Sequence, residues 1–557
     1  MHWASFDPFL IDDLFWQDKM GMPAANRQFL EAFFRYGRFK SCRFFCQDTI
    51  QTERMRRFLN DLTSPVESPA RPRAIPQALA WDELRREPVD VMHHGDFTFY
   101  MPYVMEWRNR ALDIAPFAVT GVTHSLDTLS IYTKCLSLLL ACPKPYDAII
   151  CTSLCAQKML SQTFDYLRER FKEAFQAVLP KAPRLVHIPL GIPDRQKPLV
   201  DKEEARLRLG WKLDEVVVLC LGRFSVRGKM DLSPFLEGCA WLFRKFSEKG
   251  LSRKYRLVLS GAGKKEAIRL VSELCRYVGI GSHVSIEANV SLERKELLYA
   301  ASDVFCSLVD NYQETFGLTI LEAMSYGLPV IASDFNGYRE LVKPGVSGFL
   351  VRTYASAEAE PWEDLAGILD SSVLRYYRAQ KVAFDMESFL EALSCLLTQE
   401  ETRQSMGKAG QCEAGRYRWS VIVAEYGNLW QELAQAALRE RNGSQPKDQV
   451  LPILTPHFRK IFGHYPTQTL REDTMFAVSP YGFDQLAEGF VPVVYGESSS
   501  FICKEVLSLI RRLDASKGYR LDDLVFMVKN SLGLSRQAAL LHVDWLLKHG
   551  ILGLKKN

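Results

Sequence analysis

The sequence predicts an α/β fold in which two Rossmann-like domains face a cleft, followed by a mainly helical C-terminal domain. Three observations carry this prediction. Short apolar runs alternate with amphipathic helical stretches in two successive blocks, which is the pattern of parallel sheets. A stretch containing Gly and Pro separates the blocks, and beyond about residue 450 the strand alternation fades.

The predicted strands are short and mostly apolar, and a helical stretch separates most of them from the next. The first block contains Cys42–Cys46, Val89–His93, Phe117–Val122, Asp147–Cys151 and Leu185–Ile188. The second block contains Val216–Leu221, Arg256–Leu259, His283–Glu287, Val304–Leu308, Pro329–Ala332 and Gly348–Val351. Open parallel sheets bind ligands beyond the carboxyl ends of their strands, so these ends are where a site is expected.

This pattern divides the chain into residues 1–190 and 191–415 as the two α/β domains, 416–441 as a closing helix, and 450–557 as the C-terminal domain. Pro189–Val200, with one Gly and three Pro, is predicted to be a hinge. Asn442–Gln449 is predicted to be a linker. The stretch Tyr354–Val382 is additional, and the sequence suggests no role for it.

Composition excludes several classes of protein. A chain of 557 residues exceeds one hydrophobic core, and 47% hydrophobic with 24% charged residues is ordinary for a globular protein. The net charge of +4 gives no reason to expect a nucleic-acid partner. Met1–Trp16 lacks a basic segment before an apolar core, and no apolar run approaches the ~20 residues of a membrane span. We therefore expect a cytoplasmic protein, with peripheral contact at the inner face of the membrane left open.

The thirteen cysteines are scattered and odd in number. The closest pairs, Cys42/Cys46 and Cys151/Cys155, do not continue into a second pair at zinc-ribbon spacing. They are predicted to be reduced, mostly buried thiols.

The segment Asp303–Val351 is the most informative part of the chain. A strand ends in a loop holding Asp310, Asn311 and Glu314, and a helix is predicted from about Phe316 to Tyr326. The free N–H groups at the start of that helix would point into the cleft, where they attract phosphate; they belong to Gly317, Leu318 and Thr319. Glu322 lies near the second turn, so the two glutamates can serve different groups of one ligand.

Two cations follow the first strand of the second block. Arg223 and Lys229 come after Val216–Leu221, and a guanidinium with an ammonium suits a diphosphate. The nearby run Gly261-Ala262-Gly263-Lys264 lacks the spacing of a P-loop and predicts a strand-to-helix turn instead.

Together these motifs resemble glycosyltransferase family 4, whose members are retaining enzymes of the GT-B fold. The resemblance rests on the E-x7-E pattern from Glu314 to Glu322, on "EAMSYGLPVIAS", "GYRELVKPGVSGFLV" and "LGRF…K", and on "YRWSVIVAEYGNLWQEL", similar to a helix that crosses back onto the first domain. It covers roughly residues 20–435. It implies transfer of a hexosyl or N-acetylhexosaminyl group from a nucleoside-diphosphate sugar, UDP- or GDP-linked, without a metal.

The resemblance also implies residue roles. Arg223 and Lys229 would hold the diphosphate, and the amides after Phe316 would hold phosphate and sugar oxygens. Glu314 would contact the donor sugar and Glu322 the ribose. His124 would face the sugar from the first domain, and Val290 would border the base. These residues form the expected catalytic and donor-binding set.

The acceptor side is less defined. Family members place a Gly-rich loop after their first strand, whereas this chain has "KMGMPAANRQFLEAFF", with Gly21 and a Met-Pro pair. Gly21, His94 and Asp96 are the candidate acceptor-side residues. Glycan, lipid-linked and protein or peptide acceptors all remain open.

No second carboxylate is evident in the first block, so front-face attack assisted by the leaving phosphate is expected rather than a two-step reaction through a nucleophile. Arg223, Lys229 and the helix amides would stabilise the departing diphosphate. Domain closure about the hinge would exclude water from the donor.

Two competing functions fit the sequence less well. A phosphorylase-like enzyme of the same fold would need a pyridoxal-binding lysine context, which is not evident. A non-catalytic GT-B scaffold would have no physical need for Glu314, Arg223, Lys229 and His124 together. The final helices of 450–557 resemble a winged-helix module, for which packing on the enzyme or self-association into a homo-oligomer is favoured over DNA. Binding of a protein or peptide acceptor is the remaining alternative for this region.

Overall fold

The structure is a computed structural model, and it describes residues 1–6, 9, 21–63, 72–111, 114–194, 200–250, 254–358, 361–442, 451–495 and 502–555. By their internal contacts the residues separate into two units. One comprises Met1–Arg43, Leu59–Pro72 and Val89–Val450, and the other Phe44–Phe58, Arg73–Pro88 and Leu451–Asn557.

Among the described residues, the first sheet has seven strands in the order β3-β2-β1-β4-β5-β6-β7. They are β1 His2–Ser5, β2 Ser41–Cys46, β3 Arg73–Pro76, β4 Val91–His94, β5 Ala118–Val122, β6 Ala148–Cys151 and β7 Arg184–His187. The pairs β1–β4, β4–β5, β5–β6 and β6–β7 are parallel. The connecting helices are α1 Gly21–Tyr36, α2 Thr49–Thr63, α3 Ala80–Arg86, α4 Met101–Arg110, α5 Ser130–Leu140 and α6 Leu154–Phe175.

The second sheet is parallel throughout, with six strands among the described residues in the order β10-β9-β8-β11-β12-β13. They are β8 Val216–Leu221, β9 Tyr255–Gly261, β10 Val284–Ala288, β11 Val304–Ser307, β12 Val330–Ser333 and β13 Gly348–Val351. Every residue of β8 is buried, as expected for a strand covered on both faces. The helices are α7 Lys202–Leu209, α8 Leu232–Glu248, α9 Lys265–Tyr277, α10 Leu292–Ala301, α11 Leu318–Ser325 and α12 Tyr338–Leu341.

The additional stretch after β13 is a small folded segment. It consists of β14 Thr353–Ala355, α13 Ser371–Gln380 and β15 Val382–Phe384, with β14 antiparallel to β15. Asp370 caps α13 by accepting from the N–H groups of Ser372 and Val373.

Three helices follow: α14 Met386–Thr398, α15 Glu400–Ala414 and α16 Trp419–Asn442. The last packs against α1 and β5 of the first domain. Trp430 donates its indole N–H to Thr120 Oγ1 at 3.2 Å, and its ring lies 5.1 Å from that of His93. A helix that begins after the second domain is therefore buried against the first.

The C-terminal region is not purely helical. Its strands are β16 Met475–Val478, β17 Tyr519–Arg520 and β18 Leu552–Leu554, and its helices are α17 Phe458–Phe462, α18 Pro480–Ala487, α19 Val506–Ile510, α20 Leu521–Leu532 and α21 Arg536–Lys548. The strands form an antiparallel sheet in the order β17-β16-β18. A core that includes Phe476, Leu524, Val543 and Ile551 joins sheet and helices.

The two α/β sheets confirm the predicted fold class, and β8 and β13 have the predicted bounds. The sequence interpretation missed β1 and β3. β1 has only four residues, while β3 ends in a proline and lies at a sheet edge, where the missing N–H is tolerated. The thirteen cysteines are free thiols, as predicted. Among the described helices, none is both long and apolar enough to cross a bilayer.

Candidate functional site

A pocket of about 400 Å³ lies at the carboxyl ends of β8, β9 and β11. One wall comes from the first domain, through α1 and the loop after β5, and the other from the second domain, through the loop after β11 and the start of α11. Nine of the residues predicted to act on the donor line this pocket together: His124, Arg223, Lys229, Glu314, Phe316, Gly317, Leu318, Thr319 and Glu322. Residues separated by almost two hundred positions in the chain therefore share one cavity.

Two of the residues that line the pocket, Lys229 and Glu314, form an ion pair. Lys229 Nζ lies 2.5 Å from Glu314 Oε2 and donates to the Tyr338 hydroxyl at 3.1 Å. The Phe316 N–H donates to the other carboxylate oxygen of Glu314 at 3.3 Å. Both charged side chains are mostly buried, with 10% of the Lys229 side chain and 19% of the Glu314 side chain exposed.

This arrangement keeps both groups ionised. Burial raises the pKa of Glu314, but the Lys229 charge and bond, the Phe316 N–H and the Arg223 charge outweigh it and hold the pKa below its usual value. Burial likewise opposes the charged form of Lys229, yet Glu314 and Tyr338 raise its pKa. The pocket therefore contains a fixed ammonium beside a fixed carboxylate at neutral pH.

Arg223 is oriented by its neighbours. Its guanidinium donates to the Gly228 carbonyl at 2.7 Å and to Gln313 Oε1 at 3.2 Å. Gln313 Nε2 reaches Ser125 Oγ of the first domain at 3.5 Å. The guanidinium, with its five donors, is thus held at the point where the two walls of the pocket meet.

The start of α11 forms part of one wall of the pocket. Gly317 is the residue before the helix and has a φ of +114°, in the left-handed region. A Cβ at this position would lie 2.7 Å from the Tyr338 ring, so only glycine fits. Thr319 Oγ1 is buried and has no hydrogen-bond partner among the described residues. The helix start therefore offers both backbone N–H groups and an unused hydroxyl to a ligand.

Glu322 has partners that the sequence did not suggest. Its Oε1 accepts from Lys295 Nζ at 2.7 Å, and its Oε2 accepts from the Tyr299 hydroxyl at 2.8 Å. A carboxylate has about four lone-pair sites, so two remain for hydroxyl groups of a ligand. The Tyr299 ring stacks on Tyr326 at 5.3 Å, which fixes the hydroxyl and hence the carboxylate.

The turn after β9 also borders the pocket. The run at Gly261 is the predicted strand-to-helix turn, since β9 ends at Gly261 and α9 begins at Lys265. A Cβ on Gly261 would lie 1.7 Å from the carbonyl oxygen of Gly222, the residue before Arg223. This close backbone approach sets the position of Arg223 and explains the glycine.

His124 faces the pocket as a neutral ring. Its Nε2 lies 2.6 Å from the carbonyl oxygen of Gly95, so Nε2 carries the proton and Nδ1 keeps a lone pair. Burial lowers the pKa of His124, and the Asp96 charge and the bond to Gly95 oppose this only in part. The ring can therefore accept a hydrogen bond from a sugar hydroxyl.

Several predicted residues lie elsewhere. His94 is fully buried in β4, and burial lowers its pKa to about 3, so it faces the core rather than an acceptor. Asp96 accepts from the N–H and hydroxyl of Thr98 and is not among the residues that line the pocket. Val290 packs against the core of the second domain. Gly21 begins α1, and the loop before it lies outside the described residues.

Asp310, in the loop before Glu314, is a mostly buried carboxyl group whose pKa is raised. Burial raises its pKa to about 7, opposed by the bond from the Asp231 N–H at 3.0 Å and increased by the Asp231 charge. Asp310 Oδ1 is buried without a hydrogen-bond partner among the described residues. An unfolded aspartate titrates near ~3.9, so the folded protein retains a proton that the unfolded chain has lost between these values.

Replacement of Asp310 by Asn is therefore expected to stabilise the protein at pH 8 and to change it little near pH 4. The wild-type free energy of unfolding falls as pH rises through the folded pKa, by an amount on the order of a few kcal/mol. Thermal unfolding of wild type and Asp310→Asn at pH 4.5, 6 and 8 measures the effect, with the exposed Asp364→Asn as control. If the midpoint of Asp310→Asn exceeds that of wild type by the same amount at all three pH values, the raised pKa of Asp310 is contradicted.

Residues 201–362 match the family model described as "Glycosyl transferases group 1". A D-inositol 3-phosphate glycosyltransferase of Rhodococcus erythropolis is 32% identical over 211 residues, which are 38% of this chain and 45% of that protein. A phosphatidyl-myo-inositol mannosyltransferase of Mycobacterium leprae is 25% identical over 217 residues, 39% of this chain and 46% of its own. The chain thus spans less than half the length of either relative.

The crystal structure of Anabaena HepE in complex with UDP superposes with a TM-score of 0.51 and 15% identity, over 78% of this chain and all of that one. At this identity the similarity concerns the fold alone. It agrees with the two facing parallel sheets described above. Residues 201–362 therefore match the group 1 glycosyltransferase model across most of the second domain, and the two parallel sheets have the arrangement of a GT-B fold.

Proposed function

We propose that the protein is a retaining glycosyltransferase that moves a hexosyl or N-acetylhexosaminyl group from a nucleoside-diphosphate sugar to an acceptor hydroxyl. One observation carries the proposal: Arg223, Lys229 and the start of α11 converge with Glu314 in a single pocket between two domains. Cations and helix amides suit a diphosphate, and a carboxylate beside them suits a sugar hydroxyl.

Charge in the pocket supports a dianionic ligand. Arg223, Lys229 and Lys295 face two carboxylates, those of Glu314 and Glu322, which leaves one positive charge before a ligand binds. The helix start contributes a further partial positive charge. A nucleotide diphosphate would use Arg223 and the free side of Lys229, while its ribose hydroxyls would donate to the remaining lone pairs of Glu322.

The chemistry follows from what the pocket contains. The bond between C1 of the sugar and the phosphate oxygen breaks, and the acceptor oxygen attacks C1 from the same face, passing its proton to the departing phosphate. On the first-domain wall, no acidic side chain lines the pocket among the described residues, so a carboxylate nucleophile opposite Glu314 has no support. His124 and Glu314 would hold the sugar hydroxyls, and the cations would stabilise the diphosphate without a metal.

Contacts across the cleft support a closed reacting state. Glu340 of α12 accepts from the N–H groups of Leu154 at 2.8 Å and Cys155 at 2.9 Å, at the start of α6. Its negative charge lies at the positive end of that helix, which stabilises the contact. Closure of this kind would keep water from hydrolysing the donor.

Glu322→Gln is expected to raise the KM for the donor by about tenfold while changing kcat by less than about twofold. Glu322 would bind the ribose equally in the ground state and the transition state, so its loss weakens binding uniformly. Steady-state kinetics with the best donor measure both constants, and the exposed Glu248→Gln is the matched control. A large fall in kcat at unchanged KM would place Glu322 in the chemical step instead.

Binding of a donor can be tested before its acceptor is known. A panel of UDP- and GDP-linked hexoses and N-acetylhexosamines is added to the purified protein in EDTA, and the midpoint of thermal unfolding is measured. A true donor raises the midpoint by mass action. Failure of every member to raise it would favour a non-catalytic scaffold, and a shift that requires added Mg²⁺ would contradict the metal-free part of the proposal.

A further inference from the structure

The additional segment formed by β14, α13 and β15 borders a second cavity, of about 480 Å³, that is distinct from the donor pocket. Its opposite wall is supplied by the first domain, from the loop before α5 and from the first turns of α6. The segment thus builds a chamber between the domains, which gives a physical reason for an insertion that the sequence left unexplained.

Aromatic and aliphatic side chains line one part of the chamber, and polar and charged side chains line the rest. Tyr132, Tyr312 and Trp362 contribute rings to it, and Leu126 and Met159 contribute aliphatic surface. Tyr132 and Tyr312 are 39% and 41% exposed, so ring surface remains available to a ligand. Trp362 is steadied by the neighbouring Tyr377 ring, whose centroid lies 5.6 Å away. Such flat apolar faces suit the C–H faces of a sugar ring, while polar groups around them suit its hydroxyls.

The charges that line the chamber do not favour an anion, because the three carboxylates of Asp127, Glu358 and Glu363 outnumber the two cations of Arg378 and Lys381. Arg375 forms a two-pronged ion pair with Asp127 of the first domain, and Arg378 donates to the Asp127 carbonyl at 3.3 Å. Arg378 is also paired with Glu363 at 2.7 and 3.0 Å. With these cations already matched to carboxylates, a phosphate-bearing ligand gains little here. An uncharged ligand that is rich in hydroxyl groups fits this distribution of charge better.

The chamber and the donor pocket share a wall. Thr315, the residue after Glu314, lines both cavities. Asn336 lines the chamber and donates its side-chain N–H to the main-chain carbonyl of Glu314. A ligand in the chamber would therefore lie next to the loop that carries the central carboxylate of the donor site.

From this geometry we propose that the chamber is the acceptor site and that it takes an uncharged sugar, with Trp362, Tyr312 and Tyr132 as the ring platform. The inference rests on the proposed function, since it identifies the substrate class of the same reaction. It also assigns a role to the insertion: the segment places the acceptor beside Thr315, within reach of the donor sugar.

Saturation-transfer NMR with a panel of maltose, cellobiose, lactose, N,N′-diacetylchitobiose and α-1,2-mannobiose tests this proposal on the full chain. At least one disaccharide is expected to bind the wild type, and Trp362→Ala is expected to weaken its binding at least tenfold. Ala357→Trp, which fills the chamber from an exposed position without removing its wall, should have the same effect. Trp241→Ala, at a 45% exposed tryptophan of α8, is the matched control and should bind as wild type does.

The nucleotide-sugar thermal shift, measured on the same variants, separates the two proposals. Loss of disaccharide binding with an unchanged nucleotide shift supports the chamber as acceptor site. Absence of binding by every disaccharide, or binding that is equal in wild type and Ala357→Trp, overturns it whatever the nucleotide result. If no nucleotide sugar raises the thermal midpoint, the donor site is contradicted. The chamber is then still judged by the disaccharide binding measured in wild type and Ala357→Trp.

Discussion

Lys229→Ala is expected to lower donor turnover by at least a hundredfold. Removal of one preorganised charge from a site of charge development costs about 10²–10³ in rate, and Lys229 lies within 2.5 Å of Glu314 in the pocket. The variant also leaves Glu314 buried without its cation, which is expected to cost about 3–5 kcal/mol of stability. Turnover is followed by release of nucleoside diphosphate, and stability by denaturant unfolding.

The two effects of this substitution can be separated. The double variant Lys229→Ala/Glu314→Gln removes the orphaned charge, so most of the lost stability should return while turnover stays low. Lys245→Ala, at an exposed lysine paired with Glu248, is the control for loss of a positive charge. Wild-type turnover in Lys229→Ala would refute the assignment of the ammonium to the donor phosphates.

Gly317→Ala is expected to abolish most activity and to destabilise the second domain. The backbone there has a φ of +114°, and the new Cβ would lie 2.7 Å from the Tyr338 ring. Strain of this kind costs about 1–3 kcal/mol. The larger effect is functional, because the Tyr338 ring that the new Cβ would displace contacts Lys229, and because Gly317 directly precedes the helix whose first residues line the pocket. Turnover and the thermal midpoint measure the two consequences.

Gly427→Ala is the matched control for this second substitution. Gly427 lies within α16 and has open space around its Cβ position. Alanine is the better helix former by about 1 kcal/mol, so this variant should be slightly more stable and fully active. If Gly317→Ala behaves in the same way, the helix start is not constrained as described.

The fold of the two α/β domains could be predicted because most of its strands are recognisable from their own short apolar runs. Val216–Leu221 is a continuous apolar run whose six residues are all buried, and its predicted bounds are those observed. β3, Arg73–Pro76, gives no such signal, since one of its four residues is buried and it ends in proline. Edge strands are held by pairing rather than by their own hydrophobic pattern, so a single sequence reveals them poorly.

The site likewise contains residues that the sequence predicted and residues that it did not. Arg223, Lys229 and Glu314 lie in motifs next to strand ends, and parallel topology brings such ends together. Lys295 and Tyr299 lie on α10, in a helix with no motif, and their bonds to Glu322 depend on how two helices pack. That packing is not encoded in residue spacing. The sequence therefore predicted the charged side chains that line the pocket better than the neighbouring side chains that orient them.

His94 shows where periodicity was insufficient. Neighbouring residues of a strand point to opposite faces, and of the pair His93 and His94 the second is the predicted acceptor-side residue. Both are fully buried because the sheet is covered on both faces, by helices that include α16 from a distant part of the chain. The acceptor side was accordingly the weakest part of the prediction, and its location now rests on the proposal made for the chamber beside Thr315.

Release of nucleoside diphosphate from a panel of nucleotide sugars, compared between wild type and Arg223→Ala, tests the central claim most directly. The claim is that the pocket around Arg223, Lys229 and Glu314 activates the diphosphate of a sugar donor. We predict release from at least one donor by the wild type, in the presence of EDTA, and at least a hundredfold slower release by Arg223→Ala. Equal rates in the two proteins, or no release from any donor with any acceptor of the disaccharide panel, would contradict the claim.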